Sequence, residues 1–333
     1  MKETAERYEK LDGLRAFSAI GILLMHVQAN GNYVLNGFLF EKVIPSFTNL
    51  VFLFMIISAF SMCCGYYEKI LSGTISLEQF YKKRFIKVWP FFACLNLLDL
   101  AISPSIRSMQ DIIANLSMCF GLIPNNGITV IGVGWFLGLV FVFYFLFPFF
   151  CFLLSNKRRA WFSAGLALLL NYLCDVRFCI GRENIIFSAV FFLIGGLIYL
   201  YRKELQQLAS RYGWLLTAFL LLSATLYYMS GTNVPIMLIL FGLLLIYAIK
   251  PVTGKLSILC NPVVRKISAV SMEIYLSHMV VFRVLEKLRM THLFTSDVLS
   301  YVVMSLLTVV GTIAFSLLAN CVLQHIVSKF SMA

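Results

Sequence analysis

Residues 11–28 read LDGLRAFSAIGILLMHVQ, an apolar run interrupted by one arginine and one histidine. An α-helix rises about 1.5 Å and turns about 100° per residue. The eleven residues from Arg15 to His26 therefore bring both side chains to nearly the same face, about 16 Å apart along the axis. That is roughly half the hydrocarbon thickness of a bilayer. With Arg15 at one membrane surface, His26 is expected near the midplane beneath it. Ionisable groups are costly in lipid, so this pair points to chemistry or transport.

The composition agrees with a membrane setting. The 333 residues are 60% hydrophobic and 13% charged, with a mean hydropathy of +0.88. Soluble domains carry roughly 25% charged residues. The 31 Phe and 15 Tyr suit lipid contact and the interfacial belt. Net charge is +12, but the cations cluster between apolar runs, where they read as topology determinants beside anionic lipid and not as a nucleic-acid surface. The cysteines lack metal-ligand spacing and mostly lie within apolar runs, as small hydrophobes do. Cys174 and Cys179 flank a short connection that permits pairing without requiring it. The first apolar run has no small-residue cleavage site after it and reads as a retained span.

The expected fold class is all-α, a polytopic membrane protein of about ten transmembrane helices with both termini cytoplasmic, in a single integral-membrane domain over 1–333. The spans are expected near 14–31, 47–66, 86–103, 131–154, 160–176, 185–201, 213–230, 234–249, 267–287 and 298–325. The half-polar segment 108–122 reads as an interfacial or re-entrant helix. Under this scheme about twenty of the basic residues fall on one side and seven on the other, which by the positive-inside rule sets the orientation.

Within the spans, a second histidine, His278, is expected at a depth similar to His26. Ser271, Tyr275 and His278 recur at spacings of four and three and share a helix face. Such a polar stripe reads either as a cavity lining or as interhelical hydrogen bonding. Glu273 falls on another face, with no partner evident. Lys82, Lys83, Arg84 and Lys87 concentrate charge beside the start of the third span. They suit a phosphorylated ligand, or simply the cytoplasmic surface. Phosphate-binding loops, zinc helices and nucleophile elbows are absent. His292 and His325 are isolated.

LDGLRAFSAIGILLMH resembles the opening of the membrane-bound acyltransferase type 3 family, whose first span carries an Arg and, a few turns on, a His. The resemblance continues in order along the chain. Phe52 to Phe60 is similar to the family's aromatic-rich Ser-Gly-Phe segment, with Ala59 in place of the Gly. Tyr81 to Pro90 is similar to its basic stretch leading into a proline, with Lys87 where many members have Arg. Trp135-Phe136-Leu137 with Tyr144 and Pro148 resembles its fourth-span pattern, and Val140 stands where many members have Glu. Ile267-Ser268 with Ser271 to His278 resembles its late Ser…Tyr-Leu-x-His segment.

The resemblance implies a compact O-acyltransferase of surface glycans in the bacterial plasma membrane. It implies transfer of an acyl group, commonly acetyl, from cytoplasmic acyl-CoA to a hydroxyl of a polysaccharide or lipid-linked sugar. His26 would be general base or acyl relay. Arg15 would bind donor phosphate or stabilise oxyanion charge. Lys82, Lys83, Arg84 and Lys87 would hold the CoA head, and the CoA arm would run past Arg15 to His26. Ser58, Trp135, Tyr275 and His278 would line the cavity, with Trp135 as a sugar platform. Acetyl-CoA or another acyl-CoA is thus the expected donor, with no metal, and the expected partners are membrane lipid and a glycan acceptor. Oligomeric state is left open. The competing reading is a transporter or flippase for a glycan or proton-coupled solute, for which intramembrane His and Arg serve equally well. No inverted repeat is evident to favour it.

Overall fold

The computed structural model describes residues 8–102, 104–118, 120–122, 132–230, 233–251 and 258–331. These residues form helices and connecting turns. Helix α1 is Glu9–Asn30, and α2 is the continuous helical stretch Leu39–Leu71. They are followed by α3 (Leu77–Ile102) and α4 (Ile106–Leu116). Next come α5 (Trp135–Leu154), α6 (Lys157–Leu173) and α7 (Ile185–Leu200). The chain continues with α8 (Arg202–Arg211), α9 (Gly213–Ser230) and α10 (Val234–Ile249). It closes with α11 (Pro262–Ala269), α12 (Ser271–Lys287) and α13 (Asp297–Ser331).

Several helix starts are written locally. The side chains of Ser105, Asn156, Asn184 and Asn261 accept from backbone N–H groups in the first turns of α4, α6, α7 and α11. Each satisfies donors that the helix itself leaves open. Pro262 begins α11, where its missing N–H costs nothing.

The span count differs from expectation. Among the described residues, four helices are long and apolar enough to cross a membrane, and up to six if each of two bent pairs counts as one span. The four are Leu39–Leu71, Gly132–Leu154, Gly213–Ser230 and Asp297–Leu323. The bent pairs are α7 with α8, at 76°, and α11 with α12, at 73°. The expected ten is therefore wrong, and the assignment of both termini to the cytoplasm, which rested on it, falls with it. The physical reasons differ by helix. Helix α10 has 16 residues, about 24 Å, against a hydrocarbon core of about 30 Å. Helix α6 is also short and begins Lys-Arg-Arg. Helices α1 and α3 are long enough, but their apolar runs are diluted by Asp12, Arg15, His26 and Gln28, and by the Lys82–Lys87 cluster.

Helix α1 sits at the centre of the packing. It touches α2, α10, α11, α12 and α13. Its buried residues, among them Leu11, Leu14, Ala19, Ile22, Leu23 and Val27, occupy most of its circumference, as expected of a helix enclosed by protein. Its first turns are pinned by polar contacts. Lys10 Nζ donates to the Lys250 carbonyl at 3.1 Å, and Ser268 Oγ donates to Asp12 at 3.1 Å.

Helices α2 and α7 pack face to face, with Phe52 stacked on Phe191 at 4.2 Å between ring centroids. Gly195 makes this approach possible. A Cβ there would collide with the Ile56 carbonyl oxygen and lie 2.9 Å from Ala59 Cβ. Gly195→Ala is expected to cost about 1–3 kcal/mol through overpacking. Gly165→Ala, where an added Cβ meets nothing within 4 Å, should be neutral or stabilising. Thermal unfolding of the two purified variants checks the contrast.

Helix α4 overlaps the segment 108–122 read as interfacial. It leaves Ile106, Met109 and Ile113 exposed and is tied to α3 by a buried Asn115–Asn96 hydrogen bond of 2.8 Å. The thiols of Cys174 and Cys179 are both free.

At the far end of α1 the chain is clasped to the start of α13. The Val34 N–H donates to Asp297 at 2.9 Å, and His292 Nδ1 lies 3.5 Å from the same carboxylate. The Tyr33 ring packs between His292 and Tyr301, at 5.2 and 5.8 Å. Burial, aided by the negative charge of Asp297, pushes the Tyr33 hydroxyl up to about 12. The fold therefore favours neutral tyrosine. Its contribution is complete below pH 10 and is lost as pH climbs through 12. Tyr33→Phe should flatten the alkaline fall in melting temperature, read between pH 9 and 12.

Candidate active site

Helices α1 and α12 are neighbours, and each contributes one histidine. The rings of His26 and His278 lie 5.1 Å apart, tilted at 42°. His278 Nδ1 is 2.7 Å from the Tyr275 carbonyl oxygen and 3.3 Å from that of Ile274. A carbonyl only accepts, so Nδ1 carries the proton. The neutral ring then presents a bare lone pair at Nε2. That atom is buried and has no hydrogen-bond partner among the described residues. His26 is half-buried and lines a cavity.

Two cavities lie nearby, and of the two histidines only His26 lines one of them. The larger, about 750 Å³, is lined by His26, Asn30, Thr48, Asp99, Trp135 and Arg182, together with a face of α12. The smaller, about 330 Å³, is lined by Arg15, Ser58, Arg84, Lys87, Arg265 and Glu273. Tyr275 and Leu276 line both and form the wall between them. The Tyr275 hydroxyl donates to the Val133 carbonyl at 2.9 Å. Its ring rests edge-on against Phe136, at 5.2 Å. The single passage expected from Arg15 to His26 is therefore divided in two. Arg15 and His26 share a helix, as their spacing required, but they open into different cavities.

The Arg15 cavity is rich in cations. The Arg15 guanidinium is held by the Ser61 hydroxyl at 2.5 Å and by Asp12 at 3.5 Å. Arg84 donates to the Tyr66 hydroxyl at 2.6 Å and stacks on that ring at 4.7 Å. Lys87 lies in the fields of Arg84 and Arg15, opposed by Glu273. Arg265, paired with Glu9 at 3.5 Å, completes the set. Opposing carboxylates are fewer, so the space favours an anion with several charges.

A family model described as an acyltransferase domain matches residues 8–320, nearly the whole chain and both cavities. The chain belongs to this acyltransferase family. No curated protein and no solved structure matches it.

The sequence-based candidates of this acyltransferase distribute unevenly. Arg15, Arg84, Lys87 and Ser58 come together in the smaller cavity, and His26 and Trp135 in the larger. Tyr275 stands between them, and His278 backs His26. Lys82 lines a separate apolar groove with Phe85, Phe141 and Phe145. Lys83 lines neither cavity. Glu273 shares the smaller cavity with Ser271 and Tyr275, although helical spacing had placed it on another face. Residues on both sides of the 73° bend, Ser268 and Ala269 before it and Ser271 to Glu273 after it, line this cavity, so the start of α12 meets it with more than one face. Arg182, Thr48, Asp99 and Arg265 enter the two cavities without any local signal in the sequence. Among the described residues no group of three or more His, Cys, Asp and Glu could hold a metal ion.

Proposed function

We propose that the protein transfers an acyl group, acetyl foremost, from an acyl-CoA to a hydroxyl of a cell-surface polysaccharide or lipid-linked sugar, in the plasma membrane of a bacterium. Membership in an acyltransferase family supports the reaction class. The observation that carries the reading further is the pairing of a cation-rich cavity with a histidine-bearing one across a single aromatic wall.

The phosphates of CoA suit Arg84, Lys87 and Arg265. Acyl-CoA is a charged cytosolic molecule, so this side would face the cytosol. Arg15, already oriented by Asp12 and Ser61, can donate to the donor phosphate or to oxygen charge developing on the thioester carbonyl. The acceptor sugar occupies the larger cavity, where Trp135 offers a ring face. His26 takes the proton of the acceptor hydroxyl, whose oxygen attacks the thioester carbonyl. The C–S bond breaks and CoA leaves as the thiolate, which is then protonated. The ring can instead carry the acyl group itself, as an acyl-imidazole formed with loss of CoA and resolved by the hydroxyl. Either route needs the Tyr275–Leu276 wall to part, which breaks one hydrogen bond, to Val133.

The test is direct. Purified protein is given acetyl-CoA labelled on the acetyl group, together with an alkyl glycoside. The expected result is labelled sugar ester formed in step with free CoA. Failure to bind or consume acetyl-CoA, with sugar movement across proteoliposomes instead, would overturn the reading in favour of a transporter.

A further inference from the structure

The larger cavity holds more chemistry than acyl transfer to a neutral sugar requires. Along α12, Tyr275, Met279, Arg283 and Lys287 recur at every fourth residue and all line it. At about 1.5 Å per residue, Arg283 lies about 7.5 Å beyond His278 along the axis, and Lys287 about 13.5 Å beyond it. A ladder therefore runs from Tyr275, beside the histidine pair, to two cations further along the helix.

The pairing of these charges is uneven. Arg182 is anchored by the Thr48 hydroxyl at 2.7 Å, lies over the Trp135 ring at 5.2 Å and sits 3.7 Å from Glu183. Arg283 holds Glu286 at 2.8 Å, in an exposed pair one helical turn apart, the kind worth little and readily exchanged. Lys287 has no carboxylate within salt-bridge distance among the described residues. Asp99 and Glu183 also face the cavity. Carboxylates there suit sugar hydroxyls, as acceptors of their hydrogen bonds.

We propose that the acceptor is an anionic saccharide. Its carboxylate or phosphate rests against Arg283 and Lys287, while a hydroxyl of the same or the adjoining sugar ring reaches His26. Asp99 and Glu183 accept from the remaining hydroxyls, and Trp135 packs against a ring. This inference rests on the acyl-transfer reading and names the class of molecule that receives the acyl group.

The experiment measures acetyl transfer from acetyl-CoA by the full-length protein in a non-glycosidic detergent. Three acceptors are compared by kcat/KM: octyl β-glucoside, octyl β-glucuronide and octyl β-glucoside 6-phosphate. A charged acceptor should be preferred over the neutral one by about tenfold or more, the weight of a charge-assisted hydrogen bond. The better of the two charged acceptors identifies carboxylate or phosphate as the group read. In the R283Q/K287Q double variant the preference should disappear, whereas Arg283→Lys should keep most of it. A ratio within one preparation is insensitive to the fraction folded. Equal use of neutral and charged acceptors by the native protein, or a preference that survives in the double variant, overturns the inference and leaves acyl transfer standing. Acetylation of none of the three would instead remove the acyl-transfer reading, and the inference with it.

Discussion

His26→Ala is expected to lower acetyl transfer by about 10²–10⁴-fold, the usual weight of a positioned general base. The effect should fall on kcat, because His26 lines the cavity opposite the one assigned to the donor. The KM for acetyl-CoA should stay near its native value. His278→Ala gives a second reading of the same pair. It removes the ring that lies 5.1 Å from His26 without removing the proposed base, so its loss should be smaller. Steady-state kinetics on both variants check this. Full activity in His26→Ala would discard the imidazole as base and as acyl carrier alike.

Opening the wall permanently should uncouple the reaction. Tyr275→Ala removes a ring that lines both cavities, and with it the hydrogen bond to Val133. Water then gains access to the thioester. Release of CoA in the absence of any sugar is expected to rise about tenfold, while sugar ester formed per CoA consumed falls. Tyr275→Phe keeps the ring and loses only the hydroxyl. The corresponding free energy is about 1 kcal/mol, so acceptor-independent release should rise about fivefold. Thiol titration alongside labelled-ester counting separates the two quantities. If acceptor-free release is unchanged in both variants, Tyr275 is not the barrier between donor and acceptor.

Part of this arrangement was legible in the chain itself. Helical spacing is a local property, and it places Arg15 and His26 along one edge of α1 whatever surrounds them. The same holds for Ser271, Tyr275 and His278 along α12. The span count was not legible by the same means. Alternating basic clusters test which side a connection lies on, not whether the apolar run between two connections is long enough to cross. Helix α10 is apolar and short, and α1 and α3 are long but diluted by charge. The break at Val270 was hidden as well, because an apolar residue between Ser268 and Ser271 carries no turn signal. The 73° bend there separates α11 from α12, and residues of both line the smaller cavity.

The divided passage lay beyond the sequence for a different reason. It depends on Tyr275 of α12 meeting Val133 and Phe136, with Val133 142 residues away in the chain, and no short-range pattern encodes such a meeting. Arg182 and Thr48 are likewise 134 residues apart. By contrast, the basic run from Lys82 to Lys87 was conspicuous, yet only part of it enters the cavity. On one helix Lys82 and Lys87 point about 140° apart, so Lys82 lies along the apolar groove and Lys87 in the cavity, with Arg84 bordering both.

The enclosure of α1 bears on how the protein is made. Helix α1 carries Asp12, Arg15, His26 and Gln28, groups that lipid does not accommodate. The neighbours that surround it include α10, α11, α12 and α13, all from the last third of the chain. Helix α1 is thus synthesised well before the partners that enclose it. Until α10 to α13 have been made, its polar edge must be sheltered by the insertion machinery or held at the membrane surface. A chain cut short before α11 would leave that edge without a home.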